Sequence, residues 1–347
     1  MSVLGGAEMS AGQSGRGLVR ISPFLVCLLA LASVSSAQNA SPPPESPATP
    51  SMPAPDAAMP TDDQSPAFVF KKEIEEVVLH ATVVNDQNRL ITGLARSNFV
   101  VYEDGKLQEL TSFRKERVPV ALGILIDNSG SMLPKRAKVN QAALRLVNAS
   151  QQEDRVFIVN FGDDAFLDQD YTGDVDKLKA ALQRVETRGS TALFDALIAA
   201  ADHLKQTSPL QKQVLLVVTD GQDNASQATF QEVLHKLQSK NGPVLYTIAL
   251  EQNNPRDDSN RQSLRTLSEQ TGGTAFFPSS VDEVQSIASA IAEDIRSQYV
   301  IGYRTSNPHA SGTYHSIRVQ ALDGATRLRV ATRAGYYSGN GVNSESP

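Results

Sequence analysis

The sequence predicts a doubly wound, mostly parallel, Rossmann-like α/β sheet, with antiparallel β segments on both flanks that join into a small β-sandwich. Three observations carry this prediction. Between residues 119 and 297, short uninterrupted apolar runs alternate with helical stretches, the pattern of strands covered on both faces by crossover helices. Before and after that span, β-branched runs alternate with polar residues and end in turn signals, as strands with one solvated face do. With 347 residues, 40% hydrophobic and 20% charged, the chain can bury the cores of about two domains.

The first 37 residues read as an export signal. Arg16 and Arg20 precede the apolar run 21–32, and the small residues Ser33 to Ala37 follow, so cleavage is expected after Ala37. The run contains Pro23 and falls short of the ~20 apolar residues that span a bilayer. Membrane contact is therefore expected only if this segment stays uncleaved. Cys27, the single cysteine, sits after Val26 in mid-run, which argues against lipidation. Its removal leaves a chain held by packing alone, suited to the periplasm or the cell exterior. Residues 38–67 hold nine of the eighteen prolines and almost no large apolar side chains. They read as an extended, disordered tether, with a proline-rich partner ligand as the alternative use.

Residues 68–118 form the N-terminal β segment. Val77 to Val84 is a β-branched run that stops at the polar turn 85–88. Phe99 to Tyr102 leads into Glu103-Asp104-Gly105-Lys106, where Asp-Gly signals a type I′ hairpin. Within 119–297, strands are predicted at 120–126, 155–161, 213–218, 244–250 and 274–277. Helices are predicted at 135–151, 175–185, 192–206, 227–238, 261–270 and 281–296. Residues 298–338 return to strands, from Tyr299 to Tyr303 and then through the alternating Ile317, Val319, Ala321 and Leu328, Val330. Neither flank alone holds a comfortable number of strands, so the two are expected to pair. Residues 339–347 are a disordered tail.

Composition removes several functions. A net charge of -6 and a pI near 5.5 oppose nucleic-acid binding. One cysteine excludes a disulfide framework and cysteine-based zinc sites, and the five scattered histidines form no HExxH.

What remains lies at the strand ends, because open α/β sheets bind ligands where their strands finish. The strand ending Ile124-Leu125-Ile126 delivers Asp127-Asn128-Ser129-Gly130-Ser131. The strand ending Leu216-Val217-Val218 delivers Thr219-Asp220-Gly221, and the loop 188–191 brings Thr191 to the same edge. Two carboxylates and three hydroxyls, with no histidine or cysteine, suit Mg²⁺, with Mn²⁺ or Ca²⁺ as alternatives and zinc disfavoured. The i, i+2, i+4 spacing of Asp127, Ser129 and Ser131 lets one loop aim three oxygens at a common point. Asp195 and Asp223 read as groups that steady these loops. The run 257–260 reads as the cap of the helix that follows, or as a second cation site.

These residues resemble the von Willebrand factor A domain and its metal-ion-dependent adhesion site. Asp127, Ser129 and Ser131 match its Asp-x-Ser-x-Ser motif, Thr191 its distal threonine, and Asp220 in Thr219-Asp220-Gly221 its distal aspartate. The resemblance implies hydroxyl ligands at Ser129, Ser131 and Thr191, with Asp127 and Asp220 acting directly or through water. It also implies a partner carboxylate that completes the metal's octahedron. With the export signal, tether and β flanks, residues 68–337 are similar to the acidobacterial VWFA-related family.

The expected function is thus an exported, non-enzymatic adhesion module that takes an acidic residue of a protein partner. A Mg²⁺-dependent hydrolase is the rival class, but the chain has no G-x-S-x-G, no Walker A motif, and no histidine beside the three loops. A third reading is a scaffold whose metal only steadies the loops; metal-independent partner binding would mark it.

Overall fold

A computed structural model describes residues 76–115, 118–183, 189–250, 258–306 and 312–339. The chain divides into two units, Met1–Val69 and Phe70–Pro347, and every described residue belongs to the second. The expected export signal, tether and most of the tail lie outside the described residues.

The central sheet is built from β5 (Val120–Asp127), β6 (Arg155–Phe161), β7 (Ala165–Thr172), β8 (Lys212–Thr219), β9 (Val244–Ala249) and β10 (Ala275–Phe276). Its order is β10-β9-β8-β5-β6-β7, parallel except for β7. Every residue of β5 is buried, and its side chains divide by parity. Val120, Leu122, Ile124 and Ile126 meet α1 (Arg136–Asn148), α2 (Val175–Gln183) and α6 (Val284–Ser297) on one face. Ala121 and Leu125 meet α3 (Leu193–Thr207), α4 (Phe230–Leu237) and α5 (Asp258–Thr271) on the other. The continuous apolar runs follow from this double covering. Gly123 faces the α3 side, where a Cβ would stand 2.3 Å from the ring of Phe157. The missing side chain is what admits that ring.

The edge strand β7 was not expected. Its sequence carries Asp168, Gln169 and Asp170, and most of it is solvated, so it shows neither an apolar run nor a clean alternation. Backbone pairing with β6, through two register shifts, makes it a strand.

The flanks supply β1 (Glu76–Val84), β2 (Phe99–Glu103), β3 (Lys106–Gln108), β4 (Leu110–Arg114), β11 (Tyr299–Arg304), β12 (Tyr314–Asp323), β13 (Thr326–Ala331) and β14 (Gly335–Tyr337). They form one antiparallel sheet of eight strands, ordered β3-β2-β12-β13-β1-β11-β4, with β14 on β12. The small sandwich read from the sequence is thus one hydrogen-bonded sheet in place of two. The reason is the length of β1, whose first six residues pair with β11 and whose last three pair with β13. Strands far apart in this order still meet. Phe99 of β2 lies 5.4 Å from Phe113 of β4 and 4.9 Å from Tyr299 of β11, so the sheet folds over a common core. The β2–β3 turn has φ of 50° at Asp104 and 77° at Gly105, as a type I′ turn requires.

The α/β domain is an insertion between neighbouring strands of this sheet. It begins after β4 and ends where α6 runs into β11, and β4 pairs with β11 at Arg114 and Val300. Near that junction Asp294 of α6 accepts hydrogen bonds from Thr82 of β1 at 2.5 Å and Tyr246 of β9 at 2.8 Å. A second tie joins β14 to α4 through Tyr337 N and the Gln238 carbonyl, 2.8 Å apart.

Candidate metal centre

Three loops at the carboxyl edge of the parallel sheet bring the predicted residues together. β5 ends at Asp127, which is fully buried, and its carboxylate is fixed from two sides. Oδ1 accepts from the Ser129 amide at 2.8 Å, and Oδ2 accepts from the Thr219 hydroxyl at 2.6 Å. An Asx-type turn therefore bends the chain directly after the strand. The 3-10 turn Gly130–Met132 continues the bend, with Met132 plugged into the core beneath it. This places the Ser129 and Ser131 hydroxyl oxygens 3.2 Å apart. Ser131 in turn donates to Asp220 Oδ1 at 2.8 Å, linking the first loop to the third.

Thr191 comes from the loop before α3 and is 3% exposed. Its backbone is pinned by Asn224, which accepts from the Thr191 amide through its side chain and donates to the Thr191 carbonyl through its own amide. The Thr191 hydroxyl stands 3.4 Å from where a side chain on Gly221 would begin. The second and third loops thus lie in van der Waals range of each other here.

Asp195 and Asp223 point into the scaffolding. The Asp195 carboxylate accepts from the amides of Gln227 and Ala228, each at 2.9 Å, and so holds the chain entering α4. Asp223 accepts from the Phe194 amide in the first turn of α3 at 3.2 Å and from the Ser226 hydroxyl. Each aspartate ties one loop to the start of another element. Of the run 257–260, Asp257 lies outside the described residues, α5 starts at Asp258, and Asn260 donates to the Gly221 carbonyl at 3.3 Å.

Two basic residues were not foreseen. Lys135 forms an ion pair with Asp220 Oδ2, and Arg136 donates to the Asp127 carbonyl at 3.2 Å. Burial lowers the Arg136 guanidinium to about 10, against the opposing pull of Asp168 and Asp127. Burial likewise raises the Asp127 carboxyl, partly offset by hydrogen bonds from Thr219 and Ser129. The pair Lys135-Arg136 follows the serine motif after three residues, and that closeness was the available signal. Leu133, on the same loop, is 67% exposed.

The donor types fit a hard divalent cation. Hydroxyl oxygens of Ser129 and Ser131 and a carboxylate oxygen of Asp220 form one hydrogen-bonded chain, and Asp220 already attracts a cation in Lys135. A different ligand-type cluster, Glu103, Asp104 and His315, lies in the eight-stranded sheet. There Glu103 accepts from the hydroxyls of Tyr303 at 2.5 Å, Tyr336 at 3.3 Å and Thr305, while His315 Nδ1 lies 2.8 Å from Asp104. Its oxygens are taken up by these internal bonds.

Residues 122–290 match the family model of the von Willebrand factor type A domain. Calcium-activated chloride channel regulator 1 of Sus scrofa is 25% identical over an alignment of 257 residues that covers 67% of this chain and 26% of the relative. The chain thus spans about a quarter of that relative's length. A von Willebrand factor type A structure from Catenulispora acidiphila is 12% identical, covering 80% of this chain and 76% of that one at a TM-score of 0.46. Proximal thread matrix protein 1 of the mussel byssus, solved with a zinc-occupied MIDAS motif, is 17% identical, with 56% and 50% covered at 0.44. The family match coincides with the parallel strands, the helices on both faces and the three loops at the sheet edge: residues 122–290 are similar to the von Willebrand factor type A domain.

Proposed function

We propose that this protein is an exported, non-enzymatic binding module that recognises an acidic residue of a protein partner through a divalent cation. Ser129, Ser131 and Thr191 would hold the ion through hydroxyls, with Asp127 and Asp220 acting directly or through water. Mg²⁺ suits this oxygen set best, with Mn²⁺ or Ca²⁺ as alternatives. A bound ion held mainly by neutral hydroxyls supplies enough residual charge to attract one more anionic oxygen. The observation that carries the reading is the convergence of Ser129, Ser131 and Asp220 in one hydrogen-bonded chain, with Thr191 facing Gly221 beside it.

The remaining residues serve recognition better than catalysis. Asp127 is locked by Thr219 and Ser129, so it is poorly placed to shuttle a proton. The histidine nearest Thr191 along the chain, His203, stacks on Tyr171 at 5.0 Å and contacts Asp170 at 2.9 Å. Exposed Leu133 gives the rim an apolar contact for a partner. Among the described residues no helix is long and apolar enough to cross a membrane.

The test is a metal-dependent pull-down from the organism's envelope fraction, with wild type and Asp127→Ala compared in Mg²⁺ and in EDTA. Capture by wild type in Mg²⁺ alone supports the reading. Equal capture in EDTA would instead mark a scaffold whose contacts are made elsewhere.

A further inference from the structure

At the opposite edge of the parallel sheet, where β8 and β9 begin, a cleft of about 650 Å³ opens against the outer face of β1. Along β1 the odd-numbered residues Val77, Leu79 and Ala81 enter the β core, so Glu76, Val78 and His80 face this space. The volume falls within the range of small-molecule sites, roughly 300–1,000 Å³. Its wall is strongly one-signed. Arg114, Lys212, Lys240 and Arg333 line it, and Glu76 is the one carboxylate among the lining residues. Glu76 is itself engaged by the hydroxyls of Thr111 at 2.5 Å and Ser112 at 2.9 Å.

Two of these cations spend their donors on backbone carbonyls. Arg333 is 7% exposed and gives its guanidinium to the carbonyls of Leu237, Ser239, Lys240 and Gly242, which cancels no charge. Lys212, 4% exposed, donates to the Ile295 carbonyl, with Asp294 and Asp154 lying behind it. In the middle sits His80, whose Nδ1 is sealed from water and has no hydrogen-bond partner. A buried polar atom left unmatched is unfavourable, so such atoms are ordinarily partnered. Burial, then the nearby charges of Lys212, Arg333 and Arg114, push the His80 imidazole down to about 3. The depression comes mainly from burial, and the three cations add to it.

We propose that this cleft binds a small multiply charged oxyanion, a phosphoryl or dicarboxylate compound. Its negative groups would lie among Arg114, Lys212 and Lys240, which line the cleft together with His80. Guanidinium and ammonium groups around a concave site are the donors that hold such anions. The site is separate from the metal centre: Lys212 and Thr219 stand at the two ends of β8.

The experiment is calorimetric titration of the full chain, stripped of divalent cations, with inorganic pyrophosphate and with succinate. One saturable site for either probe is expected. It should weaken about tenfold in Arg114→Ala/Lys240→Ala, and it should be unchanged in Asp127→Ala. Arg114 is solvent-exposed, so this variant is expected to fold; equal thermal melting of the unliganded proteins checks that. Binding of pyrophosphate alone assigns a phosphoryl ligand, and of succinate alone a dicarboxylate. A shift of the His80 ring resonances on binding places the anion beside it. Absence of saturable binding by both probes, or binding that the double variant leaves intact, overturns the proposal.

Discussion

The two ends of β8 carry opposite chemistry. At its carboxyl end, Thr219 and Asp220 join Asp127 and the hydroxyls of Ser129 and Ser131 in an acidic, oxygen-rich site balanced by Lys135. At its amino end, Lys212 joins Arg333, Lys240 and Arg114 around a buried neutral histidine. Between them the strand is wholly apolar from Val214 to Val218. Helices cover both faces of a parallel sheet, so polar chemistry can reach a strand only at its ends. The acidic end is fixed by short motifs that each sit at the end of a strand or the start of a helix. The basic end is assembled from elements scattered along the chain.

Four experiments break or sharpen this contrast. The largest effect belongs to the metal. At a hundredfold excess over its dissociation constant, Mg²⁺ or Mn²⁺ should stabilise wild type by about 2.7 kcal/mol, a rise in melting temperature of roughly 5–10 °C. Asp127→Ala should abolish the rise, and a rise that survives the substitution would remove Asp127 from the site.

The second test reads the basic end through pH. His80 has its folded value near 3, below its ordinary 6.5. As pH falls below about 6.5 the unfolded chain takes up the proton and the folded one does not, so stability must drop. By pH 5 the loss reaches about 2 kcal/mol. Chemical denaturation of wild type and His80→Gln at pH 7 and pH 5 checks this: the variant should lose less. Asp294, whose carboxyl burial raises, titrates in the opposite direction in both proteins and cancels in the comparison.

Third, Asp195→Ala removes the acceptor of two backbone amides and should cost about 1–3 kcal/mol in EDTA, typically near the middle of that range. The metal-induced rise should persist, which separates a residue that builds the loops from one that holds the ion. The smallest effect is at Lys135. Its ammonium competes with a bound cation for Asp220, so Lys135→Ala should tighten metal binding severalfold, about 1 kcal/mol, by calorimetric titration. Weaker binding would show that the ammonium does not compete.

This contrast also explains what could be read from the sequence. The buried strands announced themselves through runs such as Leu215 to Val218. The acidic end was legible because Asp127, Ser129 and Ser131 sit on one turn, and Thr191 and Asp220 each follow a recognisable boundary. The strand β7 was not legible, because Asp168, Gln169 and Asp170 gain their strand geometry from β6 and not from their own preference. The single sheet was hidden in the register of β1, which changes partner between Ala81 and Thr82. The basic cleft left no local trace: His80 reads as one more position in a strand until Lys212 and Arg333 are folded around it.

The insertion of the α/β domain between β4 and β11 has a consequence for how the chain folds. Pairing Arg114 with Val300 from an unfolded chain would require closing a loop that contains the whole domain, and β1 must reach β11 over an even longer span. Contacts of such high sequence separation form slowly. Once the domain has folded, its two ends emerge side by side and that closure is already made. The eight-stranded sheet therefore assembles last, on a finished template, and circular permutants that cut the α/β domain open should slow its assembly more than its final stability suggests.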